Sequence, residues 1–189
     1  MTKKELRTKH KALRAKLSAE EIEEKSLQIA NQLLKLDIWK NTFFHIYLPI
    51  REKNEVDTEF ILQILHGKDK EIVVSKSNFE TLKMNHFLLT ENTKLKKNEY
   101  NIDEPVYGLS VPDDMIDVIF VPLLAYDKNG YRVGYGKGFY DRFLLDCRFD
   151  SIKIGLSFFE PEEEFIDDVS VTDIPLDYCV TTQNVHSFR

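Results

Sequence analysis

The stretch "DVIFVPLLAYDKNGYRVGYGKGFYDRFLLD", residues 117–146, decides the fold. It opens with the most apolar run of the chain, which is typical of a strand in the centre of a sheet. A turn at Asp-Lys-Asn-Gly and a glycine-rich segment follow. The last eight residues, 139–146, predict a helix. A strand over 117–127 that leads through a loop into a helix is the repeating unit of α/β proteins.

The glycine-rich segment holds four of the seven glycines of the chain, between residues 130 and 138. Glycine is costly to order, so this density needs a reason. Backbone N–H groups at a helix start attract anions, while Lys137 and Arg132 could bind phosphate oxygens. Asp141 could hold Mg²⁺ between phosphates. The spacing fits neither a Walker A loop nor the dinucleotide fingerprint, so an anion site and a simple tight turn both stay open.

The rest of the chain alternates between helical and strand patterns. Residues 3–17 predict one helix, and Ser18 with Glu21 forms a capping box that opens a second helix through about Leu36. The other predicted elements are a strand at 43–50, a helix at 59–66 capped by Asp57 or Thr58 and ending near Gly67, and strands at 71–76, 82–89, 152–158 and 178–182. We predict that 82–89 is antiparallel, because little sequence is available for a crossover. The pattern predicts a mostly parallel α/β sheet.

Composition restricts the class of protein. The 189 residues, 42% of them hydrophobic, can build one domain over 1–189. A net charge of −6 argues against binding to nucleic acid or to an anionic membrane. No apolar run is long enough to span a bilayer. Cys147 and Cys179 suit neither a disulfide framework nor a zinc site, which favours a reduced, cytoplasmic setting.

Two further regions offer ligand-binding side chains. Lys3, Arg7, Lys11 and Arg14 share one face of the first helix, where mutual repulsion is tolerable if an anion lies among them. A solvated basic face is the alternative. Glu55 lies in a strand-to-helix connection, where α/β proteins build their sites.

These segments together resemble one family. The stretch 117–144 is similar to the signature of the 5-formyltetrahydrofolate cyclo-ligases, also called methenyltetrahydrofolate synthetases. The sequences "KKELR" (3–7), "YLPIREKNEVDT" (47–58), "IGLSF" (154–158) and "TDIPLDYCVT" (172–181) are similar to other segments of that family. The resemblance covers nearly the whole chain. It implies a three-layer α/β/α sandwich around a mixed, mostly parallel sheet, like the isomerase/CoA-transferase-like folds.

The resemblance also implies a reaction and its residues. The family uses ATP to convert 5-formyltetrahydrofolate to 5,10-methenyltetrahydrofolate, releasing ADP and phosphate, with Mg²⁺ as cofactor. The implied catalytic residues are Lys137 and Arg132. The implied ATP-binding residues are Lys3, Lys4, Arg7, Arg132, Val133, Gly134, Tyr135, Gly136, Lys137, Gly138, Phe139 and Tyr140. The implied folate-binding residues are Leu48, Glu55, Tyr135 and Phe139, and the implied metal ligands are Asp141 and Asp173, with Asp177 as the alternative to Asp173.

The sequence leaves two other functions open. One is a non-catalytic folate- or nucleotide-binding regulator, and the other is a different ATP- or sugar-phosphate-using enzyme on the same scaffold. The presence of Arg132, Lys137, Asp141 and Glu55 together favours the enzyme, since binding alone needs no full set for phosphoryl transfer. We expect a monomer that binds small molecules and neither nucleic acid nor membrane.

Overall fold

The structure is a computed structural model that describes residues 1–189. Its four helices are α1 (Lys3–Arg14), α2 (Ala19–Leu33), α3 (Glu59–Gly67) and α4 (Phe139–Asp146). Its strands are β1 (Phe43–His45), β2 (Glu71–Asn78), β3 (Lys83–Leu88), β4 (Leu95–Lys97), β5 (Asp103–Pro105), β6 (Val118–Pro122), β7 (Ala125–Tyr126), β8 (Arg132–Val133), β9 (Ile152–Leu156), β10 (Tyr178–Val180) and β11 (Val185–Ser187). None of the helices is long and apolar enough to cross a lipid bilayer.

Seven strands form the central sheet, in the order β11-β10-β9-β6-β1-β2-β3. The five inner strands run parallel, and the edge strands β3 and β11 are antiparallel to their neighbours. The prediction of a mixed, mostly parallel sheet is therefore confirmed, including the antiparallel strand predicted at 82–89.

Helices cover both faces of this sheet. Strand residues alternate between the faces, so Val118 and Phe120 lie in one core cluster with α2 and α3, while Ile119 and Val121 lie in another with α4. Strands buried on both faces must be apolar throughout, which explains the continuous apolar run at β6. The arrangement confirms the three-layer α/β/α sandwich.

The strand predicted over 117–127 is interrupted. β6 ends at Pro122, which has no N–H to donate to a ladder. The chain then turns, and β7 pairs with β8 in a separate two-stranded ribbon. The Asp127 side chain holds the predicted turn by accepting hydrogen bonds from the N–H groups of Asn129 and Tyr131, both at 3.0 Å. Because of this ribbon, the glycine-rich segment lies outside the central sheet.

Other helices and strands also begin or end at residues that differ from the predicted ones. α1 ends at Arg14 rather than residue 17, because Ser18 takes an extended conformation to cap α2. α2 ends at Leu33, and β1 has only three residues of the stretch 43–50. The hairpin of β4 and β5 and the edge strand β11 were not predicted. α4 matches its predicted range, 139–146.

Candidate active site

A cavity of about 400 Å³ lies beyond the carboxyl ends of the parallel strands, where open α/β sheets place their ligands. The structure brings most of the predicted site residues to its wall. Those lining it are Lys3, Arg7, Leu48, Glu55, Arg132, Gly134, Tyr135, Gly136, Lys137, Gly138, Phe139, Tyr140, Asp141 and Asp173.

Two predicted ATP-binding residues lie outside this cavity. Lys4 is exposed on α1. Val133 is buried, and its side chain belongs to a small core cluster with Leu6. The roles that the sequence implies for these two residues stay predictions.

The glycine-rich segment offers a row of free hydrogen-bond donors. None of the backbone N–H groups of residues 134–138 donates to an acceptor within the protein. Gly136 and Gly138 have φ angles of 96° and 70°, which favour glycine. Gly138 also caps α4 without a side chain, so the first turn of the helix is open to an anion. Lys137 lies exposed in the same segment, in no ion pair. We call residues 134–138, with their free N–H groups and Lys137, the phosphate cradle, because such donors suit phosphate oxygens.

Helix α1 supplies the opposite cationic wall. Its N-terminus is closed by a capping box between Thr2 and Glu5, and its Leu6 side chain is 1% exposed. This docking places Lys3, Arg7 and Lys11 on the cavity. Arg7 reaches the glycine-rich segment directly, since its Nε donates to the Gly134 carbonyl at 2.9 Å.

Arg14 has a different role from the other cations of α1. It is buried and does not line the cavity. Its guanidinium donates to the Tyr135 hydroxyl at 3.1 Å and to the Leu123 carbonyl. The predicted basic face therefore ends at Lys11, and Arg14 holds the glycine-rich segment from behind.

Arg132 holds the start of the same segment in place. Its guanidinium donates to Asp141 Oδ1 at 2.6 Å and to the Ile174 carbonyl. Burial lowers the pKa of Arg132, and Asp141 opposes that shift. The guanidinium thus joins β8, α4 and the C-terminal segment at one edge of the cavity.

Asp141 and Asp173 are the two acidic side chains at this edge. Asp141 is paired with Arg132, and Asp173 is paired with Lys3. Asp177 lies elsewhere, paired with Lys153 at 2.9 Å and Arg189 at 3.2 Å, and does not line the cavity. Of the two alternatives for the second carboxylate, Asp173 is the one at the site.

The two carboxylates fit Mg²⁺ bound together with phosphate. The structure has no group of three or more His, Cys, Asp or Glu side chains that could hold a metal by themselves. Mg²⁺ needs no such group, because it commonly takes one or two carboxylates with phosphate oxygens and water. Asp141 and Asp173 line the same cavity as the phosphate cradle, so the donor set suits a metal–nucleotide complex.

An aromatic wall faces the phosphate cradle. The Phe79 ring stacks on Tyr100 with centroids 4.0 Å apart and meets Phe139 edge-on at 5.1 Å. Met84 lies beside them on the cavity. Sequence reasoning missed Phe79, Tyr100 and Met84, because the first two lie in connections between strands and no local pattern marks them.

Glu55 and Tyr135 both line the cavity. Glu55 is 5% exposed and accepts a hydrogen bond from the Ile50 N–H at 2.7 Å. Burial raises the pKa of Glu55, and the bond from Ile50 opposes the shift. Lys53 lies 4.2 Å from the centroid of the Tyr135 ring, a cation–π contact. Leu48 lines the cavity from the same loop.

The cavity therefore suits a ligand pair of mixed character. Free N–H donors and unpaired cations at one end match phosphates. Aromatic side chains at the other end match a flat ring system. A net positive lining in a chain of net charge −6 concentrates anionic ligands at this site. The cavity lining contains the cations Lys3, Arg7, Lys11, Lys53, Arg132 and Lys137 and the carboxylates Glu55, Asp103, Asp141 and Asp173.

Known proteins are similar to this chain in sequence and in fold. A 5-formyltetrahydrofolate cyclo-ligase of Haemophilus influenzae is 29% identical over 163 residues, covering 82% of this chain and 85% of that protein. A 5-formyltetrahydrofolate cyclo-ligase of Mus musculus is 30% identical over 152 residues, covering 77% of this chain and 74% of that protein. The solution structure of a 5,10-methenyltetrahydrofolate synthetase from Aquifex aeolicus superimposes with a TM-score of 0.85 at 34% identity, covering 100% of this chain and 94% of that one.

The sequence model of one family extends almost from end to end of the chain. It matches residues 1–182, which include α1, the glycine-rich segment and Asp173. The resemblance seen in the sequence is thereby confirmed, and this chain belongs to the 5-formyltetrahydrofolate cyclo-ligase family.

Proposed function

We propose that this chain catalyses the ATP-dependent cyclisation of 5-formyltetrahydrofolate to 5,10-methenyltetrahydrofolate, with release of ADP and phosphate. One observation carries the proposal beyond family membership. The free N–H groups of residues 134–138 and the aromatic wall of Phe79, Tyr100 and Phe139 line a single cavity. A site that holds phosphates against a flat ring is what transfer of a phosphoryl group to a folate requires.

The formyl oxygen is a poor leaving group until it is phosphorylated. In the proposed reaction it attacks the γ-phosphorus of ATP, and ADP departs. The nitrogen N10 then adds to the activated formyl carbon and loses its proton. The carbon–oxygen bond breaks last, so the oxygen leaves as part of inorganic phosphate. Such a reaction needs positioning and charge stabilisation more than covalent help from the protein.

The protein supplies both through the cradle. The N–H groups of residues 134–138 and the Lys137 ammonium bind the phosphate oxygens, where negative charge develops. Arg7 supports the cradle through the Gly134 carbonyl and lies near the same phosphates. Arg132 acts through Asp141, which it holds at the cavity edge. We propose Lys137 and Arg132 as the residues on which turnover depends most.

Asp141 and Asp173 are the residues that would hold Mg²⁺. When bound, the metal neutralises phosphate charge and orients the nucleotide. Both carboxylates are paired with a cation in the free protein. Lys3 would be released toward the phosphates when Asp173 takes up the metal.

The folate ring is proposed to lie on the aromatic wall, with Leu48 and Glu55 beside it. Glu55 keeps its carboxyl buried against the Ile50 N–H, so it is a fixed polar group on the cavity wall. Phe139 and Tyr135 are proposed to contact both ligands, because Tyr135 belongs to the cradle and Phe139 follows it directly while packing against Phe79 of the aromatic wall.

The test is direct. Purified protein is mixed with ATP, Mg²⁺ and 5-formyltetrahydrofolate, and the near-ultraviolet absorbance of the methenyl product is followed. We expect a rise that depends on ATP and on Mg²⁺, and ADP in equal amount to product. Three variants then test the metal ligands. Asp141→Asn and Asp173→Asn should raise the Mg²⁺ concentration needed for half-maximal rate. Asp177→Asn is the control and should leave that concentration unchanged. Absence of an ATP-dependent rise would exclude the proposed reaction.

We further propose that residues 1–189 act as one monomeric catalytic domain in the cytoplasm. Cys147 and Cys179 are both free, which suits a reducing compartment. Size-exclusion chromatography with light scattering tests the monomer, since a dimer would elute at twice the mass of 22.2 kDa.

A further inference from the structure

A hydrogen bond joins the half-buried Ser75 on the cavity wall to the buried His45. Ser75 is on β2 and lines the cavity between the sheet and the glycine-rich segment. Its Oγ lies 3.3 Å from Nε2 of His45 on the neighbouring strand β1. None of the steps assigned above uses either residue.

The imidazole of His45 is fixed from several sides. It is 0% exposed and lies in the sheet centre. Its ring centroid lies 5.1 Å from that of Phe143, 5.3 Å from that of His86 and 5.8 Å from that of Tyr140. These ring contacts hold the imidazole with Nε2 within hydrogen-bond distance of Ser75, so the hydroxyl of Ser75 has a fixed partner.

His86 continues the buried polar group toward the surface. Its Nδ1 lies 2.8 Å from Asp113 Oδ1, while its Nε2 has no partner. Burial and the neighbouring His86 keep the pKa of His45 well below its usual value. His45 is therefore neutral near pH 7, and Ser75 meets an uncharged partner.

We propose that Ser75 is a specificity residue that hydrogen-bonds the polar edge of the fused ring of the folate, and that His45 is the positioning residue that orients its hydroxyl. The inference rests on the proposed function. The same cavity is lined by apolar side chains, among them Met84, Pro122 and Phe139. A single oriented hydroxyl in such a surround selects ligands with a matching polar group, because a mismatched polar group would stay unpaired.

The position of Ser75 selects the ring rather than the tail of the folate. The glutamate tail carries charged carboxylates, whose burial costs more free energy of hydration than burial of the neutral ring. The flat ring loses little and gains contact with the aromatic wall. The N–H and carbonyl groups at the edge of the ring lose water when the ring binds, so they need hydrogen-bond partners on the protein.

The test measures binding of each ligand separately. We expect Ser75→Ala to raise the Kd for 5-formyltetrahydrofolate about tenfold, the loss of roughly one hydrogen bond, while the Kd for a non-hydrolysable ATP analogue stays within twofold. Ser75→Thr keeps a hydroxyl and should restore folate affinity to within threefold. The Kd for p-aminobenzoylglutamate, which lacks the fused ring, should be the same for Ser75→Ala and the unaltered protein.

Ser151→Ala is the matched control. Ser151 is buried away from the cavity, and its hydroxyl donates to the Ile116 carbonyl at 2.7 Å. It should lose stability like Ser75→Ala and keep folate affinity. Equal folate affinity in Ser75→Ala and the unaltered protein, or an equal loss for ATP analogue and folate, would overturn the inference. Failure of the proposed function would show differently, as no folate binding or turnover in the unaltered protein.

Discussion

Lys137 is the side chain whose removal should cost the most activity for the least structural change. It is exposed and forms no ion pair, so truncation leaves no partner behind. We expect Lys137→Ala to lower kcat about a hundredfold or more, since a donor aimed at developing charge is commonly worth about 3 kcal/mol. Steady-state kinetics measures this. Lys40→Ala, which removes an exposed lysine paired only with Asp37, is the control and should leave kcat unchanged. A kcat for Lys137→Ala within threefold of the unaltered protein would exclude the role.

Arg132 differs from Lys137 because the fold depends on it. Its guanidinium is buried against Asp141 and the Ile174 carbonyl. Arg132→Ala leaves the Ile174 carbonyl without a donor and leaves Asp141 with only the Ile174 N–H at 3.4 Å, so we expect the free energy of unfolding to fall by about 3 kcal/mol. Urea denaturation measures the change. Arg148→Ala provides the contrast, because Arg148 pairs with Asp117 and Asp150 at the surface, where a pair is worth about 1 kcal/mol or less. Equal losses for the two variants would contradict this difference.

Substitution of alanine for either of two glycines should change the free energy of unfolding, in opposite directions at the two positions. Gly67 ends α3, and an added Cβ there would meet no atom within 4 Å. Gly136 has φ of 96°, and a Cβ there would lie 3.3 Å from the Arg7 guanidinium. We expect Gly67→Ala to raise the free energy of unfolding by about 0.5 to 1 kcal/mol and Gly136→Ala to lower it by about 1 to 2 kcal/mol. Thermal and urea unfolding of both variants measure these two changes. A stabilised Gly136→Ala would show that the segment relaxes without positive φ.

Elements with a local chemical cause were predictable from the sequence. α4 follows directly from Gly138 and a regular apolar period, and α2 from its Ser18 capping box. β4 was not predictable, because all three of its residues are exposed and no alternation marks it. The break of the strand after Pro122 was also missed, since Leu123 and Leu124 continue the apolar run while leaving the sheet.

The site was predictable only in part, for a similar reason. The cradle is contiguous in sequence, so its glycines and Lys137 mark it. The aromatic wall is assembled from a turn at Phe79 and a loop at Tyr100, which meet only in three dimensions. Likewise, helical spacing places Arg14 with Lys11, but only the packing shows that Arg14 is buried behind Tyr135.

The whole molecule should lose stability in mild acid. Burial lowers the pKa of His10, His45 and His86 in the folded protein. The unfolded chain therefore takes up protons first as the pH falls below about 6.5, and stability is full above that pH and declines below it. We expect a decline of about 1.4 kcal/mol per pH unit for each histidine that stays neutral.

Urea denaturation at pH 7.5, 6.5 and 5.5 measures the decline. His45→Gln removes one buried imidazole and should make it less steep. His66→Gln removes an exposed imidazole on α3 and should leave it unaltered. A free energy of unfolding that is constant over this range would show that the folded protein takes up protons as readily as the unfolded chain, and would contradict the lowered pKa values.

The contact of Arg7 with Gly134 spans 127 positions, and that of Lys3 with Asp173 spans 170. A ribosome releases α1 first, yet the surfaces on which it docks emerge near the end of translation, roughly ten seconds or more later. The helix must therefore wait as an unattached basic segment while the sheet forms behind it. Lys3, Arg7 and Lys11 can therefore join the cavity only after most of the chain has been synthesised.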